Sequence, residues 1–330
     1  MKKIASIVVG IFLVILGIIG WLLPIVPGWP LILIGASLIV PDFAKQLKRR
    51  LFRKFFNKDI VILDNLKKYR VQAGFTTRRF PVVLKKTDDL LDENNQRYFH
   101  EAISVGAGLP STGGSVSGGK PAPTRYVFLN QVHGDALQVL EDENQLASVG
   151  AGLKPAPTEF YHLMNTDSVV TNLSNLVLLV LTADCLPVFF IAGRDDGRWI
   201  GLVHAGWRGT QKRIVRKAFD MIREKSGCGV SDIRVVFGPH IGKDHYEVGE
   251  EFMDHFGHVG ARGRAPLRRT NGKLYFDLTG ETKRQLLEAG ALKSRITDLD
   301  LCTVCDPKNF YSFRLEKGNA GRLVSFIGIF

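Results

Sequence analysis

Apolar residues fall along this chain in three patterns, and each predicts a different element. From Ile4 to Val40 there is no charged side chain. Roughly 20 apolar residues span a bilayer as a helix, and this run is longer. The stretch "PIVPGWP" at 24–30 interrupts it with prolines and a glycine, which end a helix. The pattern predicts a helical hairpin, one span from about Ile4 to Leu23 and a second from about Trp29 to Phe43. Further on, compact apolar runs read as strands at 125–134, 167–172, 176–192, 198–210 and 233–242. In "TQKRIVRKAFDMIREKSG" (210–227), Ile214, Val215, Ala218, Phe219 and Ile222 recur at helical spacing and a glycine closes the run. "TGETKRQLLEAG" (279–290) reads similarly, with Thr279 as its cap. Strands interleaved with helices predict an α/β domain.

Charge sharpens the first pattern. The 330 residues carry a net charge of +12. Residues 1–58 hold nine Lys/Arg against the single acid Asp42, a net of +8, which leaves +4 for 59–330. An excess confined to one short segment is not a nucleic-acid surface, and no nucleic-acid partner is expected. Lys2 and Lys3 precede the apolar run and the basic stretch Lys45–Lys58 follows it, so both ends are expected in the cytoplasm. Trp21 and Trp29 suit a membrane interface near the turn. "VPGWPLILIG" resembles a small family of bacterial membrane proteins named for a Pro-Gly-Pro-Gly-Trp motif. A signal peptide would be shorter and end at a small-residue cleavage site, for which "GAS" (35–37) is a poor match. The expectation is a transmembrane hairpin through residues 4–43, within a segment 1–58, that anchors a cytoplasmic catalytic domain over 59–330.

Composition marks two interruptions of that domain. "SVGAGL" occurs at 104–109 and 148–153, and "KPAPT" at 120–124 and 154–158. Segments this rich in Gly, Ser, Pro and Ala bury too little surface to order themselves, so 104–124 and 148–158 are expected to be flexible insertions. The four cysteines, Cys185, Cys228, Cys302 and Cys305, are too few for a disulfide framework and are expected as thiols in a reducing compartment.

Three predicted strands end in a metal-type ligand. His133 follows "FLNQV", Cys185 follows "LLVLTAD", and His204 follows "IGLV". Gly134, Pro187 and Gly206 mark a turn beside each. Strand ends are where α/β folds place reactive groups. Two imidazoles and a thiolate with an open fourth position form a catalytic zinc pattern, in which a bound water is acidified to a pKa of about 7. Each residue alone has a plainer reading: a hydrogen-bonded structural histidine, or an inert packed thiol. Asp184, beside Cys185, could serve as a proton shuttle or cap a turn.

At these stretches the sequence resembles the YfiH-like family, whose members carry the labels multicopper polyphenol oxidoreductase (laccase-like), peptidoglycan-editing factor and purine nucleoside phosphorylase. The resemblance covers roughly 60–330 and extends to "AGFTTRR" (73–79), "GPHIGKDHYEVGEEF" (238–252), "LCTVCDPKNFYSFR" (301–314) and "GRLVSFI" (321–327). It implies mixed β-sheets sandwiched by helices. It implies zinc on His133, Cys185 and His204, and phosphorolysis of adenosine, inosine and methylthioadenosine, with adenosine deamination as a further activity. Purine nucleosides and phosphate would then be the partners. Phosphate is suited by arginine forks, and Arg78, Arg208 and Arg314 lie in matched motifs; surface ion pairs are the alternative for each. His240 could shape the pocket. Two departures from the family pattern stand out: 80–103 is shortened, and Leu315 follows Arg314 where a second arginine is usual. The eight histidines include no His-X-His pair, which argues against a laccase-type cluster, although copper could occupy the zinc site. "CTVC" (302–305) is a lone C-x-x-C, read as structural or pocket wall rather than redox-active or half a zinc knuckle. The expected activity is a zinc-dependent purine nucleoside phosphorylase and adenosine deaminase. The alternatives are an editing hydrolase of peptidoglycan precursors and a membrane-tethered, non-catalytic binding protein.

Overall fold

The computed structural model describes residues 60–63, 70–80, 83–85, 89, 125–148, 159–193, 197–257 and 266–330. All of them belong to one compact unit, Lys58–Phe330. The expected hairpin through 4–43, the insertion at 104–124 and all but the first residue of that at 148–158 lie outside the described residues. Among the described residues no helix is long and apolar enough to cross a membrane.

In chain order the strands are β1 (Ile60–Ile62), β2 (Val71–Thr76), β3 (Arg125–Leu129), β4 (Leu137–Leu140), β5 (Glu159–Leu163), β6 (Ser168–Thr171), β7 (Leu176–Thr182) and β8 (Leu186–Ala192). Then come β9 (Trp199–Ala205), β10 (Arg234–Phe237), β11 (Glu247–Val248), β12 (Leu267–Thr270), β13 (Lys273–Phe276), β14 (Ile296–Asp298) and β15 (Leu323–Ile329). Among the described residues the α-helices are α1 (Glu143–Ser148), α2 (Trp207–Gln211), α3 (Ile214–Ser226), α4 (Phe252–Phe256), α5 (Leu278–Glu288) and α6 (Phe313–Glu316).

Two six-stranded sheets carry the fold. The first runs β1-β2-β15-β7-β3-β5 and the second β14-β10-β8-β9-β6-β4. Both are mixed: β3 is parallel to β5 and β7 while β15 is antiparallel to β7, and β4 is parallel to β6 while β8 is antiparallel to β9. A small antiparallel sheet, β11-β13-β12, lies beside them. Every residue of β7, β8, β9 and β15 is buried. That explains why their sequences are almost wholly apolar, with Thr182, His204 and Ser325 as buried exceptions, since a strand covered on both faces has no polar side to show. Helix α3 lays Ile214, Val215, Ala218, Phe219 and Ile222 into a core shared with Val188, Phe190, Val203 and Phe237 of the second sheet. The expected mixed α/β architecture is present, and α3 is the helix that covers the second sheet.

Four local expectations change. The run 198–210, expected as one strand, is β9 only to Ala205 and becomes α2 at Trp207. The apolar run 176–192 is two strands, not one: β7 belongs to the first sheet, β8 to the second, and Ala183-Asp184-Cys185 form the corner between them. The helix expected over 210–227 is broken at Arg213, whose φ of 63° is left-handed, so Thr210 and Gln211 end α2 and α3 starts afresh. It does stop at Gly227, left-handed at φ 62°, as a glycine after the last turn requires. Thr279 does not cap α5; Asp277 does, its Oδ1 accepting from the Gly280 amide at 2.8 Å. A carboxylate at that position also offsets the helix dipole.

Candidate metal centre and active site

The sheet corner brings the three ligand candidates together. His133 follows β3 of the first sheet, Cys185 sits between the sheets, and His204 is the sixth residue of β9 in the second. One ligand atom from each lies within 4.8 Å of the other two. The imidazoles meet edge to face, centroids 4.8 Å apart at 87°. His133 and Asp184 both hold left-handed backbone, φ 58° and 91°. Non-glycine residues reach that region at about 1–3 kcal/mol each, so other contacts must hold them there.

For His133 the holding group is Asp167, fully buried in the turn before β6. Its Oδ1 accepts from the His133 amide at 3.0 Å and from His204 Nδ1 at 2.8 Å. Its Oδ2 accepts from the amides of Gly134 at 2.8 Å and Val132 at 3.2 Å. One carboxylate thus fixes the loop that carries one ligand and the ring of another. The proton on His204 Nδ1 leaves Nε2 with its lone pair for a metal, which is how a carboxylate behind a histidine prepares it as a ligand. Sequence reasoning placed Asp167 at the start of a strand and missed this role. The signal was an acid opening an otherwise apolar strand with no solvent face.

Charge is shared within the group. Burial pushes the Cys185 thiol up, but the charge on His204 and a hydrogen bond with His133 bring it down to about 6. Burial pushes His204 down, yet the Cys185 charge and Asp167 raise it to about 9. Burial also raises Asp167, and the hydrogen bond and charge of His204 outweigh it, holding the carboxyl below its usual value.

The donor set fits a metal ion. Tetrahedral zinc with bonds of about 2.0–2.3 Å sets its ligand atoms roughly 3.3–3.8 Å apart, inside the spread of these three. The backbone leaves room for it. A Cβ on Gly206 would stand 3.2 Å from Cys185 Sγ, 3.4 Å from the His133 ring and 3.9 Å from the His204 ring. Gly206 has ordinary extended backbone, φ −80° and ψ 174°. Space beside the ligands, not backbone freedom, is what glycine provides there. Imidazole and thiolate also bind copper.

The centre opens into a cavity of about 1060 Å³. Trp207, Tyr246 and Phe252 give it an aromatic wall, and Arg208, Arg314 and Lys85 bring positive charge to it. Arg208 lies over the Trp207 ring, 4.4 Å from its centroid. Arg314 lies over Tyr246 and donates from Nη2 to the Glu247 carbonyl at 2.6 Å. Burial and the neighbouring Cys185 charge push the Tyr246 hydroxyl well above its ordinary value, so it stays protonated. Asp184 also lines the cavity; its Oδ1 accepts from Thr303 Oγ1 and its Oδ2 from the Arg314 amide, both at 2.6 Å. The Asp184 carboxylate therefore ties the corner to two distant segments instead of capping its own turn.

The other candidates stand apart from the cavity lining. Arg78 makes a bidentate pair with Glu316, both bonds 2.8 Å, and lies over Tyr311. Its fork is engaged as an ion pair. His240 is buried, with Nδ1 against the Gly238 carbonyl at 2.9 Å and Nε2 against Thr279 Oγ1 at 3.1 Å. Both its nitrogens are satisfied by the scaffold. Leu315 is exposed and does not line the cavity. The shortened 80–103 segment nonetheless supplies Lys85 to the lining, a residue that sequence reasoning passed over. The polar "NQ" after β3 has a structural cause: the Gln131 amide donates to the Leu181 carbonyl at 2.7 Å and accepts from its N–H at 2.8 Å, extending the β3–β7 ladder by side chain.

Comparison with known proteins places the chain in a family. A purine nucleoside phosphorylase of Bacillus subtilis, YlmD, is 33% identical over 205 residues, 62% of this chain and 70% of that one. A purine nucleoside phosphorylase of Staphylococcus saprophyticus is 32% identical over 305 residues, 86% of this chain and 98% of that one. An adenosine deaminase from an unknown prokaryotic organism is 32% identical over 171 residues, 51% of this chain and 63% of that one. The crystal structure of the Bacillus licheniformis hypothetical protein YfiH superposes with a TM-score of 0.66 at 26% identity, covering 83% of this chain and 98% of that one. Residues 117–330, which contain all three ligand candidates and Asp167, match the family described as multi-copper polyphenol oxidoreductase laccase, and the chain belongs to that family.

Proposed function

We propose that the chain is a zinc-dependent purine nucleoside phosphorylase acting on adenosine, inosine and methylthioadenosine, with adenosine deamination as a second reaction. The observation that carries this reading is the junction, in one cavity, of the His133–Cys185–His204 group with an aromatic wall and two arginines. The names of the relatives support it.

Trp207, Tyr246 and Phe252 offer ring faces and edges against which a purine can pack. Arg208, steadied on Trp207, and the remaining N–H groups of Arg314 bind phosphate as planar forks. In phosphorolysis a phosphate oxygen bonds to C1′ of the ribose as the glycosidic bond breaks, and that electron pair leaves with the purine. Asp184 retains lone pairs on both oxygens beyond the bonds it accepts, so it can take up or return a proton at the cavity wall. The same transfer serves deamination, where a proton must pass from water to the departing amine. His133, Cys185 and His204 would hold a zinc ion, which when bound would supply Lewis acidity at this end of the cavity. The membrane tether through 4–43 and the cytoplasmic placement belong to the same proposal and rest on the charge pattern of the sequence.

The test uses the full chain with its zinc content measured. Release of adenine or hypoxanthine from nucleosides is followed with and without phosphate, beside Cys185→Ala. Phosphate-dependent release that is lost in the variant is expected. No turnover at full zinc loading would sink the phosphorylase reading, and equal turnover in the variant would sink the role of the three ligands.

A further inference from the structure

A second group of soft ligands lies outside the centre just described. His245, Cys302 and Cys305 place one ligand atom each within 4.8 Å of the others. We propose that these three residues form a second metal site, built for a thiophilic divalent cation such as zinc, which fastens the wall that carries Asp184.

Two chain segments build the group, and backbone pairing locks them together. His240 bridges Cys302 in parallel register. The His240 amide donates to the Leu301 carbonyl and the Thr303 amide to the His240 carbonyl, both at 3.0 Å. A tight turn follows on one side, where the amides of His245 and Tyr246 donate to the Gly242 carbonyl. On the other side the "CTVC" turn brings its two sulfurs together. Cys305 Sγ lies 3.2 Å from His245 Nε2. Cys302 Sγ accepts from the Gly242 amide at 3.2 Å and from the Cys305 amide at 3.4 Å. Two backbone N–H groups aimed at one sulfur suit a thiolate, the form that binds metal. Gly242 makes the first of them possible, since a Cβ there would stand 3.1 Å from the sulfur.

The dimensions suit the ion. Zinc bonds of about 2.3 Å to sulfur and 2.0–2.1 Å to nitrogen place tetrahedral ligand atoms roughly 3.5–3.8 Å apart. The 3.2 Å contact and the 4.8 Å limit bracket that spacing. Cys302 is buried while His245 is exposed and Cys305 half-buried, so an ion has an inner anchor and an open approach. Two thiolates also neutralise a divalent charge, and the two displaced protons go to solvent. A lone C-x-x-C explains neither the third ligand nor the amides on Cys302. The site is tied to the first by Thr303, inside the "CTVC" turn, which donates to Asp184 Oδ1 at 2.6 Å, while the Ile241 amide donates to the Asp184 carbonyl at 2.9 Å. Both ligand-bearing segments therefore grip the residue next to Cys185.

The full chain, reduced and stripped by chelator, is titrated with Zn²⁺ and with Co²⁺, reading bound metal by mass spectrometry and thiolate-to-cobalt absorption. Two equivalents are expected. His245→Ala, which changes only an exposed side chain, should weaken the second equivalent at least tenfold, and the double variant Cys302→Ser, Cys305→Ser should abolish it and its two-thiolate spectrum. Cys185→Ser should remove the other equivalent and leave this one, so the two sites fail separately. If the double variant does not fold, alkylation of wild type decides: Zn²⁺ should protect Cys302 and Cys305. A single equivalent in wild type, or a second equivalent indifferent to His245→Ala, or unprotected thiols at saturating Zn²⁺, would overturn the proposal.

Discussion

Asp167→Asn is the sharpest test of how the first centre is assembled. The variant keeps the size and shape of a fully buried side chain. It cannot keep the hydrogen bonds, because all four partners approach the carboxylate as donors. An asparagine must turn its NH₂ toward one pair of them. If it faces Gly134 and Val132, two backbone N–H groups are left without an acceptor. If it faces His133 and His204, the His133 amide is orphaned and His204 must move its proton to Nε2, which removes the lone pair a metal needs. A buried donor left unmade costs about 1–3 kcal/mol, so with one or two donors orphaned a stability loss of about 1–6 kcal/mol is expected. Loss of a carboxylate behind a ligand histidine typically weakens metal binding about 10–100-fold. Stability is read from urea unfolding of the metal-free protein, and affinity from competition with a chromophoric chelator. Metal affinity within twofold of wild type would refute the claim that Asp167 sets the His204 tautomer. Unchanged unfolding would refute the claim that it holds the left-handed His133 loop.

Gly206→Ala should weaken metal binding by roughly 1–3 kcal/mol through crowding against Cys185 and His133, with the fold retained; equal affinity by the same competition assay would contradict it. Metal binding should release one proton between pH 6 and 9, because Cys185 at about 6 and His204 at about 9 leave the metal-free pair holding a single proton there. Affinity should therefore rise about tenfold per pH unit across that window and more steeply below it, as measured by proton release in calorimetry in two buffers. Arg78→Ala should lower stability by about 1 kcal/mol or less, since the Glu316 pair is partly exposed, and leave the KM for phosphate unchanged. Arg208→Ala should instead raise that KM about tenfold or more with stability unchanged, for loss of a charge-assisted bond. Equal phosphate KM values for the two variants would overturn the division between them. The full chain should sediment with membranes and resist extraction by alkaline carbonate, as a spanning hairpin would; recovery in the soluble fraction would refute the tether.

Much of the domain was legible because its strands are buried on both faces and its ligands stand where those strands stop. His133, Cys185 and His204 announced themselves as polar residues at the ends of apolar runs. What stayed hidden depended on partners distant in sequence. Asp167 is an ordinary acid until His204 and the 132–134 amides surround it. Arg78 and Arg314 sit in equally convincing motifs, and only the position of Glu316 separates a structural pair from a cavity-lining group. Asp184 could not be placed by local rules because Thr303 and Arg314, more than a hundred residues on, take up its oxygens. "CTVC" looked solitary because its third companion, His245, comes from another segment.

The turn at Ala183-Asp184-Cys185 joins two sheets, and the ligands follow it: His133 comes from the first sheet, His204 from the second, Cys185 from the seam. An ion seated there acts as a clasp between layers. At a free metal concentration a thousandfold above Kd it would add about 4 kcal/mol to folding, all of it lost if either sheet peels away. The loaded protein should then melt as one body, its two halves protected from hydrogen exchange in step, while the empty protein is free to loosen one layer before the other.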